Sequence, residues 1–583
     1  FSYHEPWWRN YHVMAEYFTR LSMILSQGRQ VNRILVLEPT TTAWMYQGDA
    51  TVNEIGNGFQ QMVTALEQAQ IEYDLGCEDI LANHGGIDGS RLKVGQRSYD
   101  IVVLPPHTEN LNQRTMDLLE KYLNAGGKLL CCGDAPSRVD GSASDRGTAA
   151  AKLAGWKQIE TADVPQALAT ELNDGFAIER SEGDQGILLH HRRVVDDGEF
   201  LFLVNTSLSA PSSGTIRSKA RSAAQWDLHT AQIANYPCEK ADAGMTAAFE
   251  LPPCGSLLLF LSNRPRPAER QPQRKTTVVD AKDDLFIAPL ESNVLTLDYV
   301  DVTAGGETKK GIYFYKASQF AFAQNGMGRN PWDSCVQFKD SLIAKTFPPE
   351  SGFEATYRFT IEDSVPADLA IVIERPDLYA ITCNGKPVSA RAGSWWLDKS
   401  FGKIDLAGAA QLGDNAVTIK ASPFTIYHEI ESAYILGSFT LKPVQSGFVL
   451  IGQSKPSIAL GSWKAQGYPF YAAGVSYSRN FEIERPTGRY VVELDKWYGS
   501  VAEVLVNGAP AGCIVSAPWQ CDVTKALQRG PGAQRRSASV TIDVRVIGTL
   551  KNTLGPHHAG KGLGSAWPGM FQQGPESGPP AGG

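Results

Sequence analysis

Two adjacent tryptophans, Trp395 and Trp396, are the residues whose type points most directly to a ligand. The apolar face of a sugar ring can lie on an indole ring, so the pair could form a sugar-binding platform. A tryptophan also serves as a buried anchor of a hydrophobic core at least as commonly. The sequence alone leaves both roles open for this pair.

Hydrolysis of a glycosidic bond needs two carboxyl groups, one acting as an acid and the other as a base or nucleophile. The segment His428-Glu429-Ile430-Glu431 contains two carboxylates separated by an apolar residue, shortly before Tyr434-Ile435-Leu436. This alternation is typical of a strand with one solvated face, and we prefer that interpretation to an acid/base pair. The second half of the chain shows no other specific carboxylate pair.

The nine cysteines are odd in number and lack the C-x₂-C pairs of a zinc site. A nucleophilic cysteine needs a strand-to-helix elbow with glycine neighbours and a histidine partner. Cys131 and Cys132 precede Gly133-Asp134-Ala135-Pro136, which does not start a helix. We therefore expect no zinc, no required disulfide framework and no catalysis by either cysteine.

Size and charge bound the remaining possibilities. A chain of 583 residues is too long for one core and suggests about three to five domains. The net charge of −8 argues against a nucleic-acid partner and favours a neutral or weakly charged substrate such as an oligo- or polysaccharide. No apolar run reaches the roughly eighteen residues of a membrane span, so we expect no membrane partner. The oligomeric state is not indicated.

The pattern of predicted strands and helices, which must position any site, differs from one part of the chain to another. From about residue 31, continuous apolar runs such as Ile34-Leu35-Val36-Leu37 and Ile101-Val102-Val103-Leu104 alternate with helical segments, which predicts a parallel sheet in a flavodoxin-like domain. This domain is similar to the amidotransferase-like domain found in several glycosidases. Glu38-Pro39-Thr40 replaces the glycine-rich turn that would bind a dinucleotide, so we interpret the domain as scaffold.

The last third of the chain repeats one order of strands and turns. Asn384-Gly385 and Asn507-Gly508 each supply the residues with positive φ that a tight hairpin requires. Val417 and Val540 are separated by the same number of residues as the two Asn-Gly pairs. The distance from the Asn-Gly turn to the closing strand is therefore predicted to be the same in both copies. We predict two copies of one jelly-roll β-sandwich.

The second copy contains Val504-Leu505-Val506-Asn507-Gly508 and the corner Asp522-Val523-Thr524. This order of strand, turn, corner and closing strand resembles the sugar-binding jelly roll of family 2 glycoside hydrolases. The resemblance implies a fold that binds or supports sugar in many settings, and it does not by itself define a function.

The beginning of the chain carries a second resemblance. His4-Glu5-Pro6-Trp7-Trp8, Tyr17-Phe18-Thr19-Arg20-Leu21-Ser22 and the segment from Ile34 to Trp44 resemble the end of the catalytic barrel of family 106 glycoside hydrolases, the α-L-rhamnosidases. The resemblance implies that residues 1–30 are the last strand end and last helix of a truncated (β/α)₈ barrel. Glu5 would then lie near the C-terminal end of a barrel strand, where such active sites are built.

On this resemblance Glu5 is the candidate catalytic carboxylate, and His4, Trp7 and Trp8 are candidate substrate-binding residues. The alternative is that Glu5 only caps the first turn of the following helix. The second carboxylate would lie on the part of the barrel that the sequence does not contain. Because the sequence begins without a methionine or a signal peptide, we expect a fragment of a longer chain.

A loop near the other end resembles a loop of the same family. Its residues Lys551, Asn552, His557 and His558 offer hydrogen-bond donors and acceptors suited to sugar hydroxyls. A loop that packs on a neighbouring domain is the alternative. Two adjacent histidines are too few ligands for a metal, so we expect no metal here, although in the family calcium assists substrate binding.

These observations predict a multi-domain protein of α/β and all-β domains. The predicted parts are a barrel remnant (1–30), a flavodoxin-like domain (31–160), a small β domain (161–262), a linker (263–282) and two β-sandwiches (283–445 and a truncated 446–583). The resemblance implies a secreted or periplasmic glycoside hydrolase of α-L-rhamnosidase type that acts on polysaccharide. This segment would supply accessory and sugar-binding domains without a complete active site, and the alternative is a non-catalytic carbohydrate-binding protein.

Overall fold

The computed structural model describes residues 3–171, 175–265, 277–333, 340–453, 457–484, 488–529, 537–555, 572–576 and 578–580. The chain forms two compact units. One unit comprises Val13–Arg274 and Ser516–Pro518, and the other comprises Phe1–His12, Lys275–Val515 and Trp519–Gly583. No helix within the described ranges is both long enough and apolar enough to cross a membrane.

A five-stranded parallel sheet is the centre of the α/β domain. Its strands in chain order are Ile34–Leu37, Asp74–Gly76, Ile101–Leu104, Lys128–Cys132 and Trp156–Ile159. The second strand lies at one edge beside the first, and the third, fourth and fifth follow, which is the flavodoxin-like order. The predicted parallel sheet is confirmed.

Helices cover both faces of this sheet, which explains why its central strands are apolar at every position. The helices are Thr40–Met45, Thr51–Gln68, Glu78–His84, Gln113–Asn124, Arg146–Ala150 and Val164–Glu171, with a 3₁₀ turn at Thr161–Asp163. Two small sheets complete the domain, with strands Gly85–Asp88, Arg91–Val94 and Arg97–Tyr99, and Asn110–Leu111, Arg138–Val139 and Ser142–Ala143.

The small β domain consists of two antiparallel sheets that enclose an apolar core. The strands of one sheet are Ala177–Arg180, Ser212–Ser218, Glu239–Ala241 and Gly244–Leu251. The strands of the other are Leu188–Val195, Gly198–Asn205, Ser222–Trp226, Ile233–Tyr236 and Ser256–Ser262.

The helix Tyr11–Leu25 lies on the outer face of the second of these sheets. Tyr17, Leu21 and Ile24 pack against a cluster that includes Phe200 and Phe260, and the Tyr17 hydroxyl lies 2.6 Å from Ser256 Oγ. The helix is therefore held by the small β domain, whereas the residues before it, Tyr3–Trp7, form turns. The described residues contain no (β/α)₈ barrel.

The first sandwich is the larger of the two. Five strands form one sheet: Asn293–Leu297, Ala370–Glu374, Trp395–Trp396, Asp398–Asp405 and Ala433–Gly437. Eight strands form the other: Tyr299–Ala304, Glu307–Tyr313, Phe353–Ile361, Ala380–Cys383, Lys386–Val388, Gly413–Ala421, Phe439–Pro443 and Phe448–Gly452. The helices are Phe314–Gln324 and Asp340–Ile343, with 3₁₀ turns at Pro331–Asp333 and Pro376–Leu378.

The second sandwich has a five-stranded sheet facing a two-stranded one. The larger sheet contains Phe286–Pro289, Val475–Glu484, Val501–Val506, Ala509–Ile514 and Ser537–Ile547, and the smaller contains Val491–Glu493 and Gln520–Asp522. The helices are Thr524–Arg529 and Leu550–Thr553, with 3₁₀ turns at Trp8–Asn10 and Lys464–Gln466.

Two strands cross the predicted boundary between the sandwiches. Phe448–Gly452 pairs with Phe439–Pro443 of the first sandwich, and Phe286–Pro289 pairs with Val475–Glu484 of the second. Each sandwich therefore includes a strand that the division at residues 445 and 446 assigns to the other. The pairing depends on long-range contacts that strand patterns do not encode.

The two Asn-Gly turns have the same backbone conformation. Asn384 and Gly385 have φ values of 50° and 77°, and Asn507 and Gly508 have values of 51° and 78°. The Asn384 side chain accepts a hydrogen bond from Ala416 N, and the Asn507 side chain accepts one from Thr541 N. The repeated turn is confirmed, but the counterpart of Val417 is Ile542 rather than Val540, because the second copy is longer between the turn and the closing strand.

Candidate functional site

The segment that precedes the first helix contacts two other parts of the same unit. His4 Nε2 lies 2.7 Å from Asp398 Oδ2, and the Tyr3 hydroxyl donates to the same carboxylate. Glu5 Oε2 accepts a hydrogen bond from Leu550 N at 3.2 Å. His4 and Glu5 thus connect the hairpin that carries Trp395 and the helix that carries Lys551.

A tight hairpin positions Asp398. Trp395–Trp396 pairs with Asp398–Asp405, and Leu397 between them has a φ of 68°, in the left-handed region. Asp398 Oδ1 accepts from both the backbone N–H and the hydroxyl of Ser400, each at 2.7 Å. The hydrogen bonds from Tyr3, His4 and Ser400 lower the pKa of Asp398 well below its usual range, so the carboxylate is held in place and ionised.

The two tryptophans of this hairpin have different environments. The Trp396 ring lies 5.3 Å from the Tyr434 ring and packs on the core of the first sandwich. The Trp395 side chain points the other way along the strand and remains 48% exposed. The structure therefore gives one tryptophan the geometry of a core anchor and the other that of an open ring surface.

The other predicted aromatic residues lie on the same N-terminal segment. Trp8 stacks on Tyr11 with ring centroids 5.1 Å apart, and Trp7 stacks on the same ring at 6.2 Å. The 3₁₀ turn Trp8–Asn10 is fixed to the second sandwich because Asn10 Nδ2 donates to Glu503 Oε1 at 2.7 Å. Trp8 remains exposed.

Glu5 caps a helix, but not the helix that follows it in sequence. Its side chain receives the N–H of Leu550, the first residue of Leu550–Thr553. Next to it, Lys551 is exposed, whereas Asn552 Nδ2 donates to Tyr471 O at 3.0 Å. The predicted residues His557 and His558 lie outside the described residues.

The sequence interpretation missed a group of carboxyl groups inside the first sandwich. Glu374, Glu429 and Glu431 line a small cavity together with Tyr357 and Tyr379. The tyrosines fix the backbone around the acids: the Tyr357 hydroxyl donates to Glu431 O at 2.6 Å, and the Tyr379 hydroxyl donates to Glu429 O at 2.7 Å. Asn330 Nδ2 donates to Glu429 Oε1 at 2.7 Å.

The predicted solvated strand face over His428–Glu431 is therefore wrong. These residues form an irregular segment before the strand Ala433–Gly437, and His428 and Ile430 are buried. His428 Nδ1 accepts from Thr425 N at 2.8 Å, which leaves Nε2 to donate to Leu378 O at 2.9 Å. Alternation of polar and apolar residues is a weak signal over four positions, and nothing else in the sequence marked these acids as enclosed.

Burial and repulsion by neighbouring carboxylates disfavour the ionised form of all three acids. Burial is the main cause that raises the pKa of Glu374 and of Glu429. It also raises the pKa of Glu431 to about 8, with further contributions from the charges of Glu429, Glu374 and Asp333. Glu374 pairs with Phe401 in the second strand of the hairpin that carries Trp395, and the charge of Asp398 in the same hairpin also raises the pKa of Glu374.

Calcium takes roughly six to eight oxygen ligands, supplied largely by ionised carboxylates. Within the described ranges no group of three or more His, Cys, Asp or Glu side chains is arranged to hold a metal ion. Glu431 is also held in its protonated form near neutral pH, which makes it a poor ligand.

The cysteines of the α/β domain are unsuited to nucleophilic catalysis. Cys131 and Cys132 are buried in the strand Lys128–Cys132, and burial raises their pKa values to about 12 and about 11. The thiolate is the nucleophilic form of cysteine, so both side chains are unreactive at neutral pH.

No protein-family model matches this chain, and no curated protein matches it either. Three solved structures show the following similarities. A rhamnosidase from Novosphingobium sp. PP1Y has 15% sequence identity and a TM-score of 0.46 over 94% of this chain and 38% of that one. An exo-carrageenase from Bacteroides ovatus has 12% identity and a TM-score of 0.26 over 40% of this chain and 29% of that one. A member of glycosyl hydrolase family 2 from Bacteroides cellulosilyticus has 8% identity and a TM-score of 0.17 over 44% of this chain and 31% of that one.

The matched part of this chain therefore corresponds to only 38% of the length of the rhamnosidase. At these identities each similarity concerns the fold alone, and neither an activity nor a substrate follows from it.

Proposed function

We propose that this chain is part of a secreted or periplasmic glycoside hydrolase of α-L-rhamnosidase type that acts on polysaccharide, and that it supplies accessory and sugar-binding domains. The observation that carries the proposal is the meeting of His4 and Glu5 with the hairpin of Trp395 and the helix of Lys551. Segments that are far apart in the sequence and carry residue types suited to bind sugar are therefore neighbours in the folded unit.

The chemistry of this surface suits a neutral sugar. The exposed Trp395 ring can cover the apolar face of a pyranose, and Asp398, whose oxygens already accept from Tyr3, His4 and Ser400, holds these polar side chains in place. Lys551 adds an exposed donor. One oxygen of the Glu5 carboxylate accepts a hydrogen bond from the Leu550 N–H. We assign Glu5 the role of one of the two carboxyl groups that hydrolysis of a glycosidic bond requires.

The other carboxyl group would belong to a barrel that precedes the helix Tyr11–Leu25. Met14 and Phe18 support this proposal because they remain 46% and 52% exposed on the helix, beside the face that packs on the small β domain. Their spacing of four residues places them in one apolar stripe, which a barrel would cover.

The test is made on the longer protein that includes the sequence upstream of Phe1, with an aryl α-L-rhamnoside as substrate. Glu5→Gln keeps the size of the side chain and removes its acid/base capacity, so kcat should fall by roughly 10² to 10⁴-fold. Glu16→Gln is the matched control, because Glu16 is an exposed carboxylate on the neighbouring helix that pairs only with Arg20 among the described residues. The chain of 583 residues alone should release no sugar.

Unchanged turnover in Glu5→Gln would remove Glu5 from the reaction. Strong release of sugar by the 583-residue chain alone would show that the described domains hold a complete active site, contrary to the proposal.

A non-catalytic carbohydrate-binding protein is the second candidate function. It is favoured by the exposed Trp395 ring on the hairpin that also holds Tyr3 and His4 through Asp398, which is an arrangement that needs no bond cleavage. Retardation of the longer protein in polysaccharide gels, lost in Trp395→Ala, together with no hydrolysis of any of those polysaccharides, would establish this alternative.

A further inference from the structure

A second group of exposed aromatic side chains lies on the second sandwich. The loop of residues 494–500 connects the strand Val491–Glu493 of the small sheet to Val501–Val506 of the large sheet. Tyr498 in this loop is 96% exposed, and Trp519 on the neighbouring segment is 38% exposed. Neither residue takes part in the site around Asp398, and neither is needed by the core of the sandwich.

The rings in this region form a corner rather than a flat patch. The ring centroids of Trp497 and Trp519 are 5.4 Å apart, and the ring planes meet at 86°. Trp497 packs against the apolar core of the second sandwich, so it supports Trp519 from below. A perpendicular arrangement leaves the outer face of Trp519 available for contact.

Backbone contacts hold this loop at both ends. Leu494 N donates to Trp519 O at 2.9 Å, and Ser500 N donates to Ile547 O at 2.8 Å. A Cβ atom at Gly499 would lie 2.7 Å from Val546 Cγ1, so the loop is pressed against the closing strand of the sandwich. The aromatic side chains therefore project from a fixed support, which reduces the entropy that a ligand would have to overcome.

Residues next to these aromatic side chains in the sequence carry polar groups. Gln520 Nε2 donates to Glu493 Oε2 at 3.0 Å, across the pair of strands that leads into both segments. Asp495 and Lys496 are exposed in the loop itself. Carboxylate, amide and ammonium groups beside aromatic rings offer both acceptors and donors to the hydroxyl groups of a sugar.

We propose that Tyr498 and Trp519, supported by Trp497, form a carbohydrate-binding platform for a neutral sugar unit of a polysaccharide, separate from the surface that carries Trp395. This site goes beyond the proposed function, because it would bind substrate without contributing to bond cleavage. The ligand is a sugar rather than a protein, because Tyr498 and the 38% exposed Trp519 together present less than roughly 500 Å². A standard protein interface takes about 800 Å² from each partner.

The experiment is affinity electrophoresis of the 583-residue chain in gels that contain soluble rhamnogalacturonan, arabinogalactan or xyloglucan. Tyr498→Ala and Trp519→Ala are compared with Trp395→Ala and with Trp44→Ala, which removes an exposed tryptophan of the α/β domain. We expect retardation of the unmodified chain in at least one gel, a loss of about 5 to 10-fold in its association constant in Tyr498→Ala, and no change in Trp44→Ala.

The outcomes separate this site from the proposed function. Because Tyr498 is 96% exposed, its replacement leaves the fold intact, and unchanged binding in Tyr498→Ala would overturn the platform. Loss of binding only in Trp395→Ala would overturn it while supporting the proposed function. Absence of retardation in all gels, or self-association in sedimentation velocity that depends on Tyr498, would also overturn it.

Discussion

The two sandwiches share one turn and differ in where they place their polar and aromatic side chains. The first encloses Glu374, Glu429 and Glu431 in a cavity, whereas the second exposes Tyr498 on a loop between its sheets and Trp519 on a neighbouring segment. Both contain the same Asn-Gly hairpin with nearly identical φ values. A repeated strand order therefore determines the framework, and the irregular segments determine what each copy can do.

The largest effect that tests this comparison concerns the tryptophans of the first sandwich. Trp396→Ala removes a ring that packs on Tyr434 and the core, and we expect it to lower the free energy of unfolding by about 3 kcal/mol. Trp395→Ala removes a ring that is nearly half exposed and should cost less than about 0.5 kcal/mol. The measurement is hydrogen exchange of peptides from the first sandwich as a function of urea concentration. Equal costs would contradict the different environments of the two rings.

The next effect concerns the enclosed acids. The pKa of Glu431 is raised from 4.5 to about 8, so between these pH values the folded chain holds a proton that the unfolded chain has released. The stability of the first sandwich should therefore fall as pH rises through this window, and the full penalty should be present above pH 8. Glu431→Gln should remove most of this dependence and add about 2 kcal/mol at the alkaline end, with little change below the lower pKa.

Glu350→Gln, at an exposed position of the same sandwich, is the control for this prediction. Peptides of the first sandwich provide the readout by hydrogen exchange, and those of the second provide an internal reference. A slope of stability against pH that Glu431→Gln leaves unchanged would show that these acids do not control it.

The smallest effect compares the two turns directly. Asn384→Gly and Asn507→Gly both tolerate the positive φ, so each isolates the hydrogen bonds of the lost side chain. The Asn384 side chain bonds to Ala409 O, Asn415 Oδ1 and Ala416 N. The Asn507 side chain bonds to Thr541 N.

We therefore expect Asn384→Gly to lower the free energy of unfolding by about 2 kcal/mol and Asn507→Gly to lower it by about 1 kcal/mol. The measurement is hydrogen exchange of the peptides that contain each turn, as a function of urea concentration. A larger cost at Asn507 would mean that the second turn depends on groups outside this hydrogen-bond set.

Sequence patterns predicted the regular parts of the molecule well. The apolar runs Ile34–Leu37 and Ile101–Leu104 are buried central strands, and each Asn-Gly pair forms the expected hairpin turn. A helix within residues 1–30 was implied by the resemblance, and the helix Tyr11–Leu25 packs on the small β domain. The residue types of His4, Glu5 and Trp395 are visible in the sequence, whereas the contacts of His4 with Asp398 and of Glu5 with Leu550 are not.

The sequence by itself determined the elements whose signal is local: strand and helix periods, and turns that only asparagine and glycine form easily. Tertiary structure alone decided that Trp395 is open while Trp396 is covered, that Glu429 and Glu431 are enclosed, and that Glu5 reaches Leu550. These features depend on which distant segments pack together. A periodic pattern records which side of an element is apolar, but it does not record which distant segment covers that side.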